Sequence, residues 1–243
     1  MIPVDIREEL SGTTYPGRGM IAGLTADGAH AVCAYFIMGR SENSRNRIFV
    51  KDGAGIRTEA FDPSKVRDPS LIIYSPVRVW EDCTIISNGD QTDTIYDGLK
   101  NGYSFQASLK SRTFEPDAPN YTPRISCMMR IKDSGKLKYR MSIIKSADGD
   151  PSGVIRSTFV YEKPLKGEGR YLHTYIGDGN PLPSFEGEPV RVKIDDRSLD
   201  DFTDSIWTSL NEDNKVSLFT RFTDLKTGAV DSRIVNKNNG GML

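Results

Sequence analysis

Apolar and β-branched residues fall mostly into short runs bounded by turn signals along this chain, which is the mark of strands. The pattern predicts strands over 20–24, 30–38 and 47–51, separated by Ala26-Asp27-Gly28 and Lys51-Asp52-Gly53. Further strands are predicted at 71–74, 84–86, 125–131, 137–144, 154–161, 170–176, 216–222 and 230–235. The segment Lys132-Asp133-Ser134-Gly135-Lys136 reads as a hairpin loop between two of them. The runs at 31–38 and 125–131 are densely apolar rather than alternating, as expected of strands buried on both faces. The predicted fold class is therefore α+β, with antiparallel sheets stacked on each other and helices packed outside them.

Three helices are expected. Residues 92–100 follow Asp90, a plausible N-cap, and 104–111 carries Phe105 and Leu109 four apart. The clearest is 199–210, where Ser198 and Asp201 resemble a capping box and Leu199, Phe202, Ile206 and Leu210 share one face. Residues 177–189, rich in Gly and Pro, read as a long loop. No repeat or biased linker divides the 243 residues, so one domain over 1–243 is expected.

Composition mainly excludes. With 32 basic and 33 acidic residues the net charge is −1, which leaves no electrostatic footprint for nucleic acid. The longest apolar run, 31–38, is too short to cross a bilayer, and the N-terminus lacks the basic-then-apolar order of a secretory signal. Cys33, Cys83 and Cys127 form no paired motif and read as buried packing thiols in a reducing cytoplasm. His30 and His173 are isolated, which argues against a zinc site. Acid–base chemistry would then fall to carboxylates or tyrosines.

Polar clusters bearing arginine sit at strand ends: Gly17-Arg18-Gly19, the stretch 40–47, Ser87-Asn88-Gly89-Asp90-Gln91-Thr92-Asp93, and Thr122-Pro123-Arg124. A guanidinium donates two parallel bonds to phosphate, and a helix opening near Asn88-Gly89-Asp90 would add backbone N–H groups. Together they suit an anionic small molecule. Each cluster alone reads more simply as solvated charge or as a turn with a cap.

In one order the chain also carries Tyr15-Pro-Gly-Arg-Gly, Arg40-Ser, Asn46-Arg47, Tyr74 with Arg78, Ser87-Asn-Gly-Asp-Gln-Thr-Asp-Thr-Ile, Glu115 and Thr122-Pro-Arg-Ile. This series resembles the archaeal-type IMP cyclohydrolase family, well over residues 13–130 and loosely beyond. The resemblance implies a four-layer αββα sandwich like that of N-terminal nucleophile hydrolases, without self-processing. It implies closure of a formamido-imidazole-carboxamide ribonucleotide to IMP with loss of water, and neither metal nor organic cofactor. Arg40, Tyr74 and Glu115 would be catalytic. Arg18, Asn46, Arg47, Asn88, Asp90, Asp93 and Arg124 would bind substrate.

Other readings stand beside these. Tyr74 can be a core tyrosine, Glu115 a solvated loop carboxylate, and Asp93 a first-turn helix charge. The chain departs from the family pattern at Asp90-Gln91, where Ser-His is typical, and at Tyr121, where Asn is typical. A purine-nucleotide-binding protein with altered catalysis is the alternative. A self-processed amidohydrolase would need Ser11, Thr13 or Thr14 at a new N-terminus. A small-molecule ribonucleotide is the expected partner, with a homo-oligomer compatible.

Overall fold

The computed structural model describes residues 2–66, 73–131, 135–195, 198–239 and 241–242. Its organisation follows from the dense apolar strand at the centre. In β2 (His30–Met38) every residue from Ala31 onward is buried. Ala31, Cys33, Tyr35 and Ile37 pack into one core, and Val32, Ala34, Phe36 and Met38 into another. A strand with two apolar faces needs a layer on each side.

On one side of β2 lies a second sheet. The first sheet has β2 beside β1 (Arg18–Leu24) and β12 (Lys215–Asp224), with β10 (Glu168–His173) and β11 (Val190–Lys193) beyond β1, and β13 (Val230–Asn236) and β14 (Gly241–Met242) beyond β12. The other sheet follows chain order: β3 (Arg47–Asp52), β4 (Gly55–Ala60), β5 (Val77–Trp80), β6 (Cys83–Ser87), β7 (Arg124–Ile131), β8 (Leu137–Ala147) and β9 (Asp150–Tyr161). All ladders are antiparallel. The shared core between the sheets includes Met20, Tyr35 and Phe219 from the first and Phe49, Ile86 and Ile125 from the second.

Helices cover the outer faces. α1 (Ile6–Ser11) and α5 (Leu199–Ser209) pack Ile6, Leu10, Phe202 and Ile206 onto the first sheet. α3 (Gln91–Lys100) and the single turn α4 (Phe105–Ser108) set Ile95, Leu99 and Phe105 against β6 and β7. A further turn, α2 (Glu42–Arg45), links β2 to β3. Half of the capping box expected at the α5 start forms: the Ser198 side chain accepts from the Asp201 N–H at 3.0 Å, and among the described residues no bond returns from the Asp201 side chain. Among the described residues no helix is long and apolar enough to cross a membrane.

Several expectations are corrected. The 104–111 helix shrinks to one turn. Asp90 occupies the N-cap position of α3, but its side chain makes no capping bond. Of the strand expected at 71–74, residues 71–72 lie outside the described residues and 73–74 are not in a strand. Tyr74 is nevertheless fixed beside β4, donating its N–H to Thr58 Oγ1 at 2.8 Å while its carbonyl accepts from the Thr58 N–H at 2.9 Å. Residues 132–134 of the hairpin loop are likewise outside the described residues, although Ile131 and Leu137 pair across it. The 170–176 strand ends at His173. Elements α1, α2, β4, β5, β11 and β14 have no counterpart among the predicted elements.

Candidate active site

Strand alternation places charge inside the sandwich. Arg18 opens β1 and shares its parity with Met20 and Ala22, so its side chain enters between the sheets; Arg47 opens β3 with the parity of Phe49. The backbone preceding Arg18 permits this. Gly17 has φ +79°, and an added Cβ would fall onto Thr174 Oγ1 and the Tyr175 ring.

Around these two guanidinium groups sit Tyr35, Tyr74 and Glu115, all buried. Glu115 lies in the loop before β7, which is closed by its N–H to the Thr122 carbonyl at 2.9 Å and by the Thr122 N–H to Asp117 Oδ1 at 2.7 Å. Its carboxylate faces Arg18 at 3.7 Å, an ion pair without direct hydrogen-bond contact. Burial pushes the Glu115 carboxyl above the ordinary range, against the pull of Arg18 and Arg124. Burial acts to lower the Arg18 pKa, but Glu115 and neighbouring tyrosines outweigh it and hold the group above its usual value. The Tyr35 and Tyr74 hydroxyls are 2.8 Å apart, and burial raises both phenols.

Arg47 is 1% exposed. It donates from Nε to the Ser44 carbonyl at 2.8 Å, and Nη1 has no partner. Among the described residues no carboxylate lies within ion-pair distance of it, and burial followed by Arg18 lowers its pKa. Among the described residues this cluster therefore holds two guanidinium groups against one carboxylate. Uncompensated buried charge is costly unless a counter-charge arrives.

The other expected residues are distributed around this centre. Arg124 has the opposite parity to Ile125 and leaves β7 on the helix side; its Nη1 donates to Asp90 Oδ1 at 2.8 Å and Gln91 Oε1 at 2.7 Å. It lies over Gly89, where any Cβ would collide with the guanidinium. Arg40 is at the rim, 5.0 Å from the Tyr15 ring centroid and bonded to Asp178 Oδ1 at 2.5 Å. Asn46 spends its amide on the Asp62 backbone, donating to the carbonyl and accepting from the N–H. Asn88 does the same for the strand opening, donating to the Pro123 carbonyl and accepting from the Ile125 N–H and the Gln91 amide. Asp90 bridges Arg112 and Arg124, and Asp93 pairs with Arg78 at 2.7 Å; both carboxylates are about half exposed.

Sequence reading missed Tyr35, which lies in an apolar run and looks like core. It also missed a short chain in which Thr122 Oγ1 donates to Asp117 Oδ2 at 2.5 Å and stands 2.5 Å from the Tyr175 hydroxyl. His173, two residues away, holds the Tyr175 carbonyl through Nδ1 at 2.7 Å. Among the described residues no three His, Cys, Asp or Glu side chains are grouped as a metal ion would require.

Comparison with known proteins places this arrangement in context. Residues 15–228 match the family described as IMP cyclohydrolase-like protein. An IMP cyclohydrolase of Methanopyrus kandleri is 35% identical over 178 residues, covering 70% of this chain and 79% of the relative. One from Methanothrix thermoacetophila is 31% identical over 147 residues, 56% of this chain and 70% of the relative. The matched span takes in Tyr15 through Arg124 and every strand from β1 to β12, and the chain belongs to the IMP cyclohydrolase-like family.

Proposed function

We propose that the protein is an IMP cyclohydrolase that closes 5-formamido-imidazole-4-carboxamide ribonucleotide to IMP and releases water. The observation that carries the reading is the buried cluster of Arg18, Arg47, Tyr35, Tyr74 and Glu115, with its surplus of positive charge. A ribonucleotide brings the missing anion.

The chemistry asks for little beyond placement. The carboxamide nitrogen bonds to the formyl carbon of the neighbouring substituent and gives up one proton while the formyl oxygen gains one, making a carbinolamine. A second protonation lets that oxygen leave as water, and the formamide nitrogen loses its proton as the ring C=N bond forms. Both groups ride on one ring, so holding them face to face removes much of the barrier. A guanidinium or phenol aimed at the formyl oxygen stabilises the charge that develops there. Tyr74, kept neutral by burial, suits donation, and Glu115, with its raised pKa, suits proton exchange. Arg40 holds Asp178 and the Gly179 carbonyl through Nη1, which leaves Nε and Nη2 to meet the formamide. Arg18, Arg47 and Arg124 are assigned to phosphate and carboxamide. Asn46 and Asn88 fix the backbone around the site from within, and Asp90 and Asp93 are free to meet ribose hydroxyls on their exposed sides.

The same reading takes the chain as one domain with the four-layer αββα arrangement of N-terminal nucleophile hydrolases. Support comes from the helices on both outer faces and the core shared by the sheets. A second reading, nucleotide binding without turnover, draws on the Asp90-Gln91 network that already occupies Arg124. One assay separates them: the formylated imidazole ribonucleotide is supplied and the absorbance of IMP followed. Turnover is expected, lowered in Tyr74→Phe, Glu115→Gln and Arg40→Ala proteins that remain folded. A wild-type protein that binds IMP without turnover favours the second reading. Full activity in all three variants refutes the site.

A further inference from the structure

A second buried cation lies far from this cluster. Arg221, on β12, is 5% exposed and enters between the sheets. It pairs in register with Cys33, which pairs with Ala22, four residues along β1 from Arg18. That separation is about 13 Å along the strand, plus the spacing of two strands. On the second sheet its neighbours are the hairpin turn between β3 and β4 and the start of β6, the ends opposite to Arg47 and Ser87. It donates through Nη2 to the Ala54 carbonyl. Nη1 reaches Thr84 Oγ1 only at 3.5 Å, and Nε has no partner. Among the described residues no carboxylate is within ion-pair distance of it, and burial lowers its pKa.

Arg221 borders a cavity of about 650 Å³ between the sheets, within the usual range for small-molecule sites. Ile56, Val79, Ile131 and Phe219 supply apolar walls, and Thr84 and Ser232 supply hydroxyls. Ser232 faces Arg221 directly across the β12–β13 ladder, so both side chains point into the same space. An interior guanidinium beside an apolar chamber of this size is half of a binding site. The buried charge to be met is the single positive unit of Arg221, because Lys51, also on the lining, is exposed to solvent. A phosphate monoester carries up to about two negative charges, and would meet Glu81 and Asp82 at the cavity edge. A monocarboxylate balances Arg221 alone.

We infer that this inter-sheet cavity binds a small organic monocarboxylate with an apolar body, its carboxylate on Arg221 and its body against Phe219 and Ile131. The site is independent of the cyclohydrolase reading.

The test uses the full chain and 4-fluorobenzoate as probe, followed by fluorine NMR, with inorganic phosphate and IMP as competitors. Saturable binding is expected, at least tenfold weaker in Arg221→Gln and in Ser232→Phe, which fills the chamber while keeping the guanidinium. Neither phosphate nor IMP should displace the probe. Absence of binding, affinities within twofold of wild type in both variants, or displacement by IMP overturns the proposal. Displacement by phosphate overturns the carboxylate assignment. If neither variant folds, amide shifts in the unaltered protein decide: changes at Thr84 and Ser232 support the site, and changes confined to Arg18 and Glu115 refute it.

Discussion

Removing one hydroxyl from the Tyr35–Tyr74 pair tests whether these phenols form a positioned unit. They stand 2.8 Å apart, Tyr35 fully buried and Tyr74 7% exposed, and neither hydroxyl has another partner among the described residues. Tyr35→Phe leaves the Tyr74 hydroxyl unpaired, and Tyr74→Phe does the reverse. Each should cost about 1–3 kcal/mol, the usual penalty for orphaning a buried polar group. The double variant replaces both partners by rings of the same shape, so its stability should lie close to that of either single variant. The expected coupling is at least about 1 kcal/mol. For a chain of this length each kcal/mol corresponds to about 2–4 °C in melting temperature, readable by calorimetry or urea unfolding. Activity should split differently. Tyr74→Phe should lose about 10²–10⁴ in kcat, the scale of a positioned proton donor, whereas Tyr35→Phe should lose less than tenfold. Additive stability losses in the double variant, or a Tyr35→Phe enzyme as slow as Tyr74→Phe, would refute the reasoning.

Three further outcomes are expected. Burial raises the Glu115 pKa, so its contribution is present below the ordinary value of 4.5 and lost as pH rises above it; Glu115→Gln should therefore gain on wild type in urea midpoints between pH 4.5 and 8, and the opposite trend would mean that Arg18 outweighs burial. Burial pushes His173 down to about 4 from 6.5, so stability is full above pH 6.5 and falls by about 3 kcal/mol toward pH 4; His173→Gln should flatten urea unfolding across that window, and an unchanged decline would assign it elsewhere. Gly17→Ala places a Cβ on Thr174 and Tyr175 in a backbone region that disfavours side chains, and should cost at least about 2 kcal/mol in urea unfolding; a melting temperature within a degree of wild type would contradict the packing.

The fold was legible where one physical pattern dominated. α5 combined an N-cap with a helical apolar face, and β2 was too apolar for anything but a strand buried on both sides. β4 and β5 were hidden because Arg57, Glu59 and Arg78 interrupt them, so their apolar content is too thin for periodicity to register. Of the site, arginines at strand ends are visible in the sequence, but alone they read as solvated charge; only the folded strands bring Arg18 and Arg47 together between the sheets. The asparagines could not be judged. Asn46 and Asn88 look like ligand donors in a string of letters, yet folding commits their amides to backbone groups that would otherwise be orphaned. Tyr35 shows the converse: nothing in an apolar run marks one ring as carrying a hydroxyl aimed at another.

The pairing order of the two sheets has a consequence for biosynthesis. The second sheet is a meander in chain order, so each strand can add to its neighbour as it leaves the ribosome. The first is interleaved: β1 and β2 must wait, both edges open, until β10 and β12 are made more than a hundred residues later. A nascent chain halted near residue 165 would therefore display a bare apolar hairpin, the kind of edge that recruits other chains. Shortening this protein from its C-terminal side should produce aggregates rather than a smaller working enzyme.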